Sequence, residues 1–183
     1  MTTAVQPTLP GRRVRLRPWR SQDAGAVFDA CQDAEIQRWT EVPVPYLRAH
    51  AEAFVGELAR STWTAGGASF AVESLHDGSL VGAMTLFPPR DGVGVAGYWT
   101  VAGHRGRGLT GEALRVLSAW ALQTVGLRRM ELVADALNTG SRRVAEAAGY
   151  SAEGVLRQRS LHRGVPVDDV LFGLLASDPR PPA

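Results

Sequence analysis

The sequence predicts a single α+β domain built on a mixed, mostly antiparallel sheet of about seven strands flanked by helices. Two observations predict this fold class. Apolar runs of period two, typical of strands, are interspersed with stretches whose apolar residues recur at helical spacing. Glycine-containing turn signals separate successive strands in the middle of the chain. The 183 residues suffice for one core, so we predict a domain over 12–177, a flexible lead at 1–11 and a proline-rich tail at 178–183.

The first third of the chain is predicted to hold one strand and three helices. Residues 13–17 alternate with period two and predict a strand that Pro18 ends. Ser21 has the side chain of an N-cap, and a helix is predicted to follow it. Apolar residues at helical spacing then predict a short helical turn at 33–40 and a longer helix at 47–60.

The middle of the chain is predicted to form three antiparallel strands. Two of them, 68–74 and 80–87, flank Asp77-Gly78, a dipeptide typical of hairpin turns. The third, over 95–101, leads into a glycine-rich loop. The remaining elements are predicted in the order helix, strand, helix, strand, strand, at 112–125, 130–135, 138–149 and on either side of a turn at 163–166.

The loop from His104 to Leu114 joins a strand to a helix and has the properties of an anion site. Its glycines allow several backbone N–H groups to point at one place, and the N-terminus of the following helix adds a partial positive charge. Arg105 and Arg107 strengthen the preference for an anion. The loop therefore predicts a site for a phosphate or pyrophosphate group.

Three motifs fit this loop. Gly106-x-Gly108-x-x-Gly111 followed by Asp135 matches a dinucleotide fingerprint, but too little chain follows to complete a doubly wound sheet. The stretch 103–110 nearly matches a P-loop, but a leucine stands where the phosphate-binding lysine belongs. The third motif, Arg105-x-x-Gly108-x-Thr110, resembles the signature of the GNAT superfamily of acyl-CoA-dependent N-acyltransferases.

Further segments extend this resemblance over nearly the whole chain. Asn138-x-x-Ser141, followed by Gly149-Tyr150, is similar to a second segment of the same superfamily. Gly97-Tyr98-Trp99 before the loop and Leu16-Arg17-Pro18-Trp19 near the start also match, in the same order. The sequence most resembles the RimJ/RimL-like branch, whose members acetylate N-terminal amines of ribosomal proteins and, in other cases, small molecules.

The resemblance implies acetyl-CoA as the acyl-donor cosubstrate and a GNAT-like sheet that splays after Trp99. The N–H of Thr100 or Val101 would then be free to bind pantetheine and polarise the acetyl carbonyl. Ser141 is the implied general acid toward the sulfur. The implied cofactor-binding residues are Trp99, Thr100, Val101, Arg105, Gly106, Arg107, Gly108, Leu109, Thr110, Gly111, Asn138, Ser141 and Arg143.

The general base is left open by the sequence. Many relatives place a glutamate at the position of Val95, and valine cannot accept a proton. One alternative is that Glu41 is the base. The other is that the enzyme captures an amine that is already neutral, directly or through a water relay.

Three functions remain to be separated. The first is acetyl transfer to a primary amine of a protein N-terminus or of an antibiotic or metabolite, with a larger acyl group such as succinyl as a variant. The second is an acyl-CoA-binding module without turnover, and the third is a nucleotide-dependent oxidoreductase. A single cysteine, the lack of a signal-peptide pattern and a net charge of only +2 predict a cytoplasmic protein without disulfides, membrane segments, metal sites or nucleic-acid partners. A homodimer is an expectation from the family alone.

Overall fold

The computed structural model describes residues 5–179, and eight strands within them form one sheet. The strands are β1 (Leu9–Pro10), β2 (Val14–Pro18), β3 (Ala68–Ser74), β4 (Leu80–Leu86), β5 (Val93–Thr100), β6 (Arg129–Asp135), β7 (Ser151–His162) and β8 (Val165–Leu175). Their spatial order is β1-β2-β3-β4-β5-β6-β8-β7. The β5–β6 pair is parallel and the other neighbouring pairs are antiparallel. The predicted mixed α+β sheet is therefore confirmed.

Six α-helices accompany the sheet in the described part of the chain. They are α1 (Ala24–Ala30), α2 (Ala34–Trp39), α3 (Arg48–Ala53), α4 (Ala59–Thr64), α5 (Leu109–Gln123) and α6 (Thr139–Ala147). A π-helical segment, Phe54–Leu58, joins α3 to α4, so the predicted third helix runs on past its expected end. None of the described helices is long and apolar enough to cross a membrane.

Two local predictions need correction. Leu9 lies in the predicted flexible lead, yet it pairs with Leu16 of β2 and is buried, because its side chain completes the core beside that strand. Ser21 begins a 3-10 turn and is not the N-cap, since Arg20 occupies that position and its N–H donates to Asp23. The ends of the predicted lead and tail, 1–4 and 180–183, lie outside the described residues.

The two faces of the sheet carry different hydrophobic clusters. Helix α5 packs on one face, where buried residues of α5 and the central strands form the main core. Helices α1, α2 and α3 lie on the other face and pack a smaller cluster against Ala83 of β4 and Trp99 of β5. Because side chains alternate along a strand, Ala96 belongs to the main core and Trp99 to the smaller cluster.

The parallel strands β5 and β6 separate toward their carboxyl ends. They are paired from Val93 with Arg129 to Ala96 with Leu132, and no further. Beyond that point β5 stays with β4, and β6 stays with β8. The sheet therefore opens from Gly97 onward, earlier than the expected position after Trp99. Each strand keeps an antiparallel neighbour, so the opening removes only the last hydrogen bonds between the two parallel strands.

Candidate active site

Backbone hydrogen bonding on β5 determines which amides point into the gap between β5 and β6. Phe87 donates its N–H to the carbonyl of Val95, and Val101 donates to the carbonyl of Val81, both at 2.9 Å. The backbone polar groups of Val95 and Val101 therefore point toward the β4 side of the strand. Because the bonding direction alternates along an antiparallel strand, the N–H of Thr100 points away from β4 and into the gap.

This alternation corrects part of the expected site. The amide of Val101 was one of two expected oxyanion donors, but its bond to Val81 leaves it unavailable. Trp99 is also buried away from the cofactor side, because its ring lies in the smaller cluster, 6.4 Å from the ring of Phe54. Thr100 is the expected donor that the strand geometry leaves free.

The glycine-rich loop has the backbone conformation of an anion cradle. Gly106 and Gly108 have φ values of 71° and 74°, a region that residues with a Cβ rarely adopt. Gly108 is the N-cap of the 15-residue helix α5, whose first amides have no partner within the helix. Leu109 is buried in the main core, so only its backbone can face a cofactor. The loop thus fits a phosphate or pyrophosphate group.

The helix start lies against both the gap and α6. The hydroxyl of Thr110, in the first turn of α5, is 2.7 Å from the hydroxyl of Thr100 at the end of β5. Gly111 faces α6: a Cβ built there would lie 3.7 Å from that of Ala147. The anion loop, the free amide of β5 and α6 therefore meet at one place.

Both arginines of the loop have side-chain partners in the protein. Arg105 pairs with Asp33, which also caps α2 by accepting the N–H of Ile36. Arg107 has its guanidinium 3.4 Å from a ring nitrogen of His104. The two loop arginines thus have protein partners, and backbone amides remain the main anion donors of the loop.

Glu112 is a structural residue that the sequence did not reveal. It is only 1% exposed, and its carboxylate accepts the backbone N–H groups of Arg12, Arg13 and Val14 at 2.7–3.3 Å. The Arg13 side chain donates both to this carboxylate and to the carbonyl of Arg107. Glu112 therefore ties the start of β2 to the cofactor loop. The only sequence signal was an acidic residue in the first turn of a helix.

Ser141 lies beside the gap in a hydrogen-bonded group. Asn138 caps α6 by accepting the N–H of Ser141 at 2.9 Å. The phenol of Tyr98 lies 2.8 Å from the hydroxyl of Ser141, across the gap. Burial raises the pKa of Tyr98 to about 12, with the Ser141 hydrogen bond opposing the rise. Tyr98 was seen only as part of a motif, and its role depends on this long-range contact.

Glu41, one of the two alternatives for the base, lies away from this group. Glu41 is exposed (79%) and its carboxylate is 3.3 Å from His162 at the tip of the β7–β8 hairpin. Arg163 at the same tip donates to the carbonyls of Gln37 and Val42. These contacts form a rim between the hairpin and the α2–α3 connection.

Arg143, one of the expected cofactor-binding residues, is exposed on α6. Within 5–179 no group of three side chains could hold a metal ion.

Comparisons with known proteins identify the family and the fold. A family model described as an acetyltransferase (GNAT) domain matches residues 13–151. "Probable N-acetyltransferase YjcK" of Bacillus subtilis (strain 168) is 31% identical over 112 residues, which span 60% of this chain and 62% of that protein, a little under two thirds of its length. Mycobacterium smegmatis RimJ in complex with CoA-disulfide has a TM-score of 0.82 at 26% identity, covering 93% of this chain and 88% of that one.

A second solved structure is more distant in sequence. RimL, described as a ribosomal L7/L12 alpha-N-protein acetyltransferase and solved with coenzyme A, has a TM-score of 0.83 at 16% identity. It covers 92% of this chain and 98% of its own. At this identity the likeness concerns the fold.

Proposed function

The chain belongs to the GNAT acetyltransferase family, and from that premise we propose that it transfers an acetyl group from acetyl-CoA to a primary amine. One observation carries the proposal: the sheet opens between β5 and β6 directly beside a glycine-rich loop at a helix N-terminus. A long cofactor with a pyrophosphate in its middle and a thioester at its end needs these two features side by side. The nicotinamide-dependent alternative needs neither the gap nor Ser141.

Backbone groups would hold the cofactor. The amides of the loop from Gly106 to Gly111 would bind the pyrophosphate, and the N–H of Thr100, which points into the gap, would bind the thioester end. Bound acetyl-CoA supplies a thioester whose carbonyl oxygen gains negative charge when an amine attacks the carbon. A backbone N–H directed at that oxygen stabilises the transition state by about 3 kcal/mol. Thr100 is the donor we assign to this role.

Ser141 is the group we assign to protonate the departing sulfur. Asn138 fixes the start of its helix, and Tyr98 fixes its hydroxyl. With its pKa raised to about 12, Tyr98 keeps its proton at neutral pH and can donate to Ser141. A thiolate is a stable leaving group, so this proton helps the reaction and is not essential to it.

The acceptor is proposed to be an α-amine of a peptide N-terminus or of a small molecule. At neutral pH an amine must lose a proton before it attacks, and an α-amine with a pKa of about 8 does so more easily than a lysine at about 10. Glu41 and His162 stand at the rim between hairpin and helices. This exposed place suits contacts with an arriving acceptor better than proton transfer at the thioester.

Release of free CoA tests the proposal. Purified protein is given acetyl-CoA with a panel of N-terminal peptides and aminoglycoside-like amines, and succinyl-CoA replaces acetyl-CoA in a parallel series. Binding is measured separately by the melting temperature, which acetyl-CoA should raise and NAD at equal concentration should not. Stabilisation by acetyl-CoA without release from any amine would favour the binding module, and stabilisation by NAD alone would favour the oxidoreductase.

A further inference from the structure

Asp135 lies on the opposite side of the gap from the assigned oxyanion donor. The last parallel pair is Ala96 with Leu132, and counting three residues onward along both strands brings Asp135 level with Trp99. Thr100, whose N–H points into the gap, is the next residue on β5. Asp135 is the final residue of β6, so it stands at the mouth of the opening.

The side chain of Asp135 belongs to the face opposite α5. Met130, Leu132 and Ala134 alternate into the main core, so the intervening residues of β6 face the other way, as Trp99 does on β5. The anion loop begins α5, on the main-core side of the sheet. A cofactor held there occupies that side of the gap, and the amine must approach from the face that carries Asp135.

Two carboxylates stand at this place, and one of them is buried against β7 and contacts it through one oxygen, Oδ2. Asp169 is the register partner of Asp135 on β8 and is 4% exposed. It accepts the hydroxyl of Ser160 at 2.5 Å and lies 3.4 Å from a guanidinium nitrogen of Arg159. The negative charge of Asp169 is therefore already stabilised by Arg159 and Ser160 of β7.

Asp135 keeps one oxygen available. Its Oδ1 accepts the N–H of Leu137 at 2.8 Å, in a turn that leads toward α6. Its Oδ2 has no hydrogen-bond partner among residues 5–179, and the side chain is partly buried. A half-buried carboxylate oxygen that faces the acceptor side is suited to bind an ammonium group.

We propose that Asp135 is the carboxylate that binds the acceptor amine and takes a proton from it, an inference that rests on the acetyl transfer proposed above. One proton passes from the ammonium nitrogen to Oδ2. The freed lone pair forms the nitrogen–carbon bond, and the carbon–sulfur bond breaks with its electron pair going to sulfur. The nitrogen gives up its second proton to water as the amide forms, and the sulfur takes one proton from Ser141, which water then reprotonates. Asp135 then returns the proton to water, so no further reactant is needed.

The decisive variant is Asp135→Asn. Its amide oxygen can still accept the N–H of Leu137, so the turn before α6 is kept while the negative charge is lost. The matched control is Asp168→Asn, because Asp168 also accepts a backbone N–H, that of Gln158 at 2.8 Å, and is exposed. Acetyl-CoA affinity by calorimetry and melting temperature should be unchanged in both variants.

Steady-state CoA release is compared for two acceptors, an α-amine and an alkyl amine of higher pKa. Asp135→Asn should lower kcat/KM by about 10²-fold or more, with the larger loss for the alkyl amine, because that amine more often needs its proton removed. Asp168→Asn should leave both rates near those of the wild type. Wild-type rates in Asp135→Asn, or equal losses for the two amines, would overturn the inference and leave acetyl transfer intact. A wild-type protein that releases no CoA with any amine would overturn both.

Discussion

The phenolic oxygen of Tyr98 lies 2.8 Å from the hydroxyl oxygen of Ser141, so β5 and α6 share a hydrogen bond across the gap between the parallel strands. Tyr98 is also within 3.2 Å of the Ser141 carbonyl. One aromatic side chain thus fixes both the position of the helix start and the orientation of the serine hydroxyl. This contact gives the first prediction.

Ser141→Ala should lower kcat by up to about 10²-fold, the low end of general-acid effects, because a thiolate already leaves readily. Tyr98→Phe keeps the ring but removes the hydrogen bond, worth about 1 kcal/mol, and should have a smaller effect on kcat. Both variants should bind acetyl-CoA with nearly wild-type affinity in calorimetry. Lost affinity with unchanged kcat would contradict the assigned role of Ser141.

Gly108→Val should abolish acetyl-CoA binding. Gly108 has a φ of 74°, and a β-branched residue there is strained and fills the space that a phosphate needs. Gly103→Ala is the control, since Gly103 has open space around it and an ordinary φ. Calorimetry on folded protein measures both variants. Unchanged affinity in Gly108→Val would rule out this loop as the pyrophosphate site.

Glu41→Gln should change kcat/KM by less than about 5-fold, because an exposed ion pair contributes roughly 1 kcal/mol or less. Glu41 is 79% exposed, and its described contact is with His162. If Glu41 were the base, the loss would be about 10²-fold or more. The rising limb of the wild-type pH profile would then also be lost in Glu41→Gln. These rate measurements therefore separate a rim residue from a base.

Glu112→Gln should lower the free energy of unfolding by about 2 kcal/mol, because the hydrogen bonds that the buried carboxylate accepts lose their charge assistance. Burial alone favours the neutral acid, but the backbone and side-chain donors of Arg13 outweigh it and hold the pKa of Glu112 below its usual value. Since the folded-state pKa is lowered, this stability is present above about pH 4.5 and is lost as pH falls.

Urea unfolding at several pH values checks this prediction. The difference in free energy of unfolding between wild type and Glu112→Gln should be largest at pH 7 and should shrink below about pH 4.5. Glu146→Gln is the control, because Glu146 is exposed on α6 and its replacement should cost less than about 0.5 kcal/mol. A difference that grows on acidification would contradict the lowered pKa.

Much of the fold was predictable because the signals are local. Asp77-Gly78 places a turn between β3 and β4, as expected from its backbone preference. Asn138 caps α6 through a contact three residues away. Gly106 and Gly108 take the left-handed conformation that a glycine-rich anion loop requires. In each case a residue and its near neighbours decide the structure, so one sequence suffices to predict it.

The remaining features depend on which strands become neighbours. The sequence by itself determined the order of elements from β2 onward, the glycine-rich loop before α5 and the helix that carries Ser141. Only the tertiary structure decided that β8 lies between β6 and β7, that Val101 is bonded to Val81, and that Tyr98 reaches Ser141 43 residues away. The physical reason is that a backbone amide is free or bonded according to the strand beside it, and strand pairing is set by packing between distant parts of the chain.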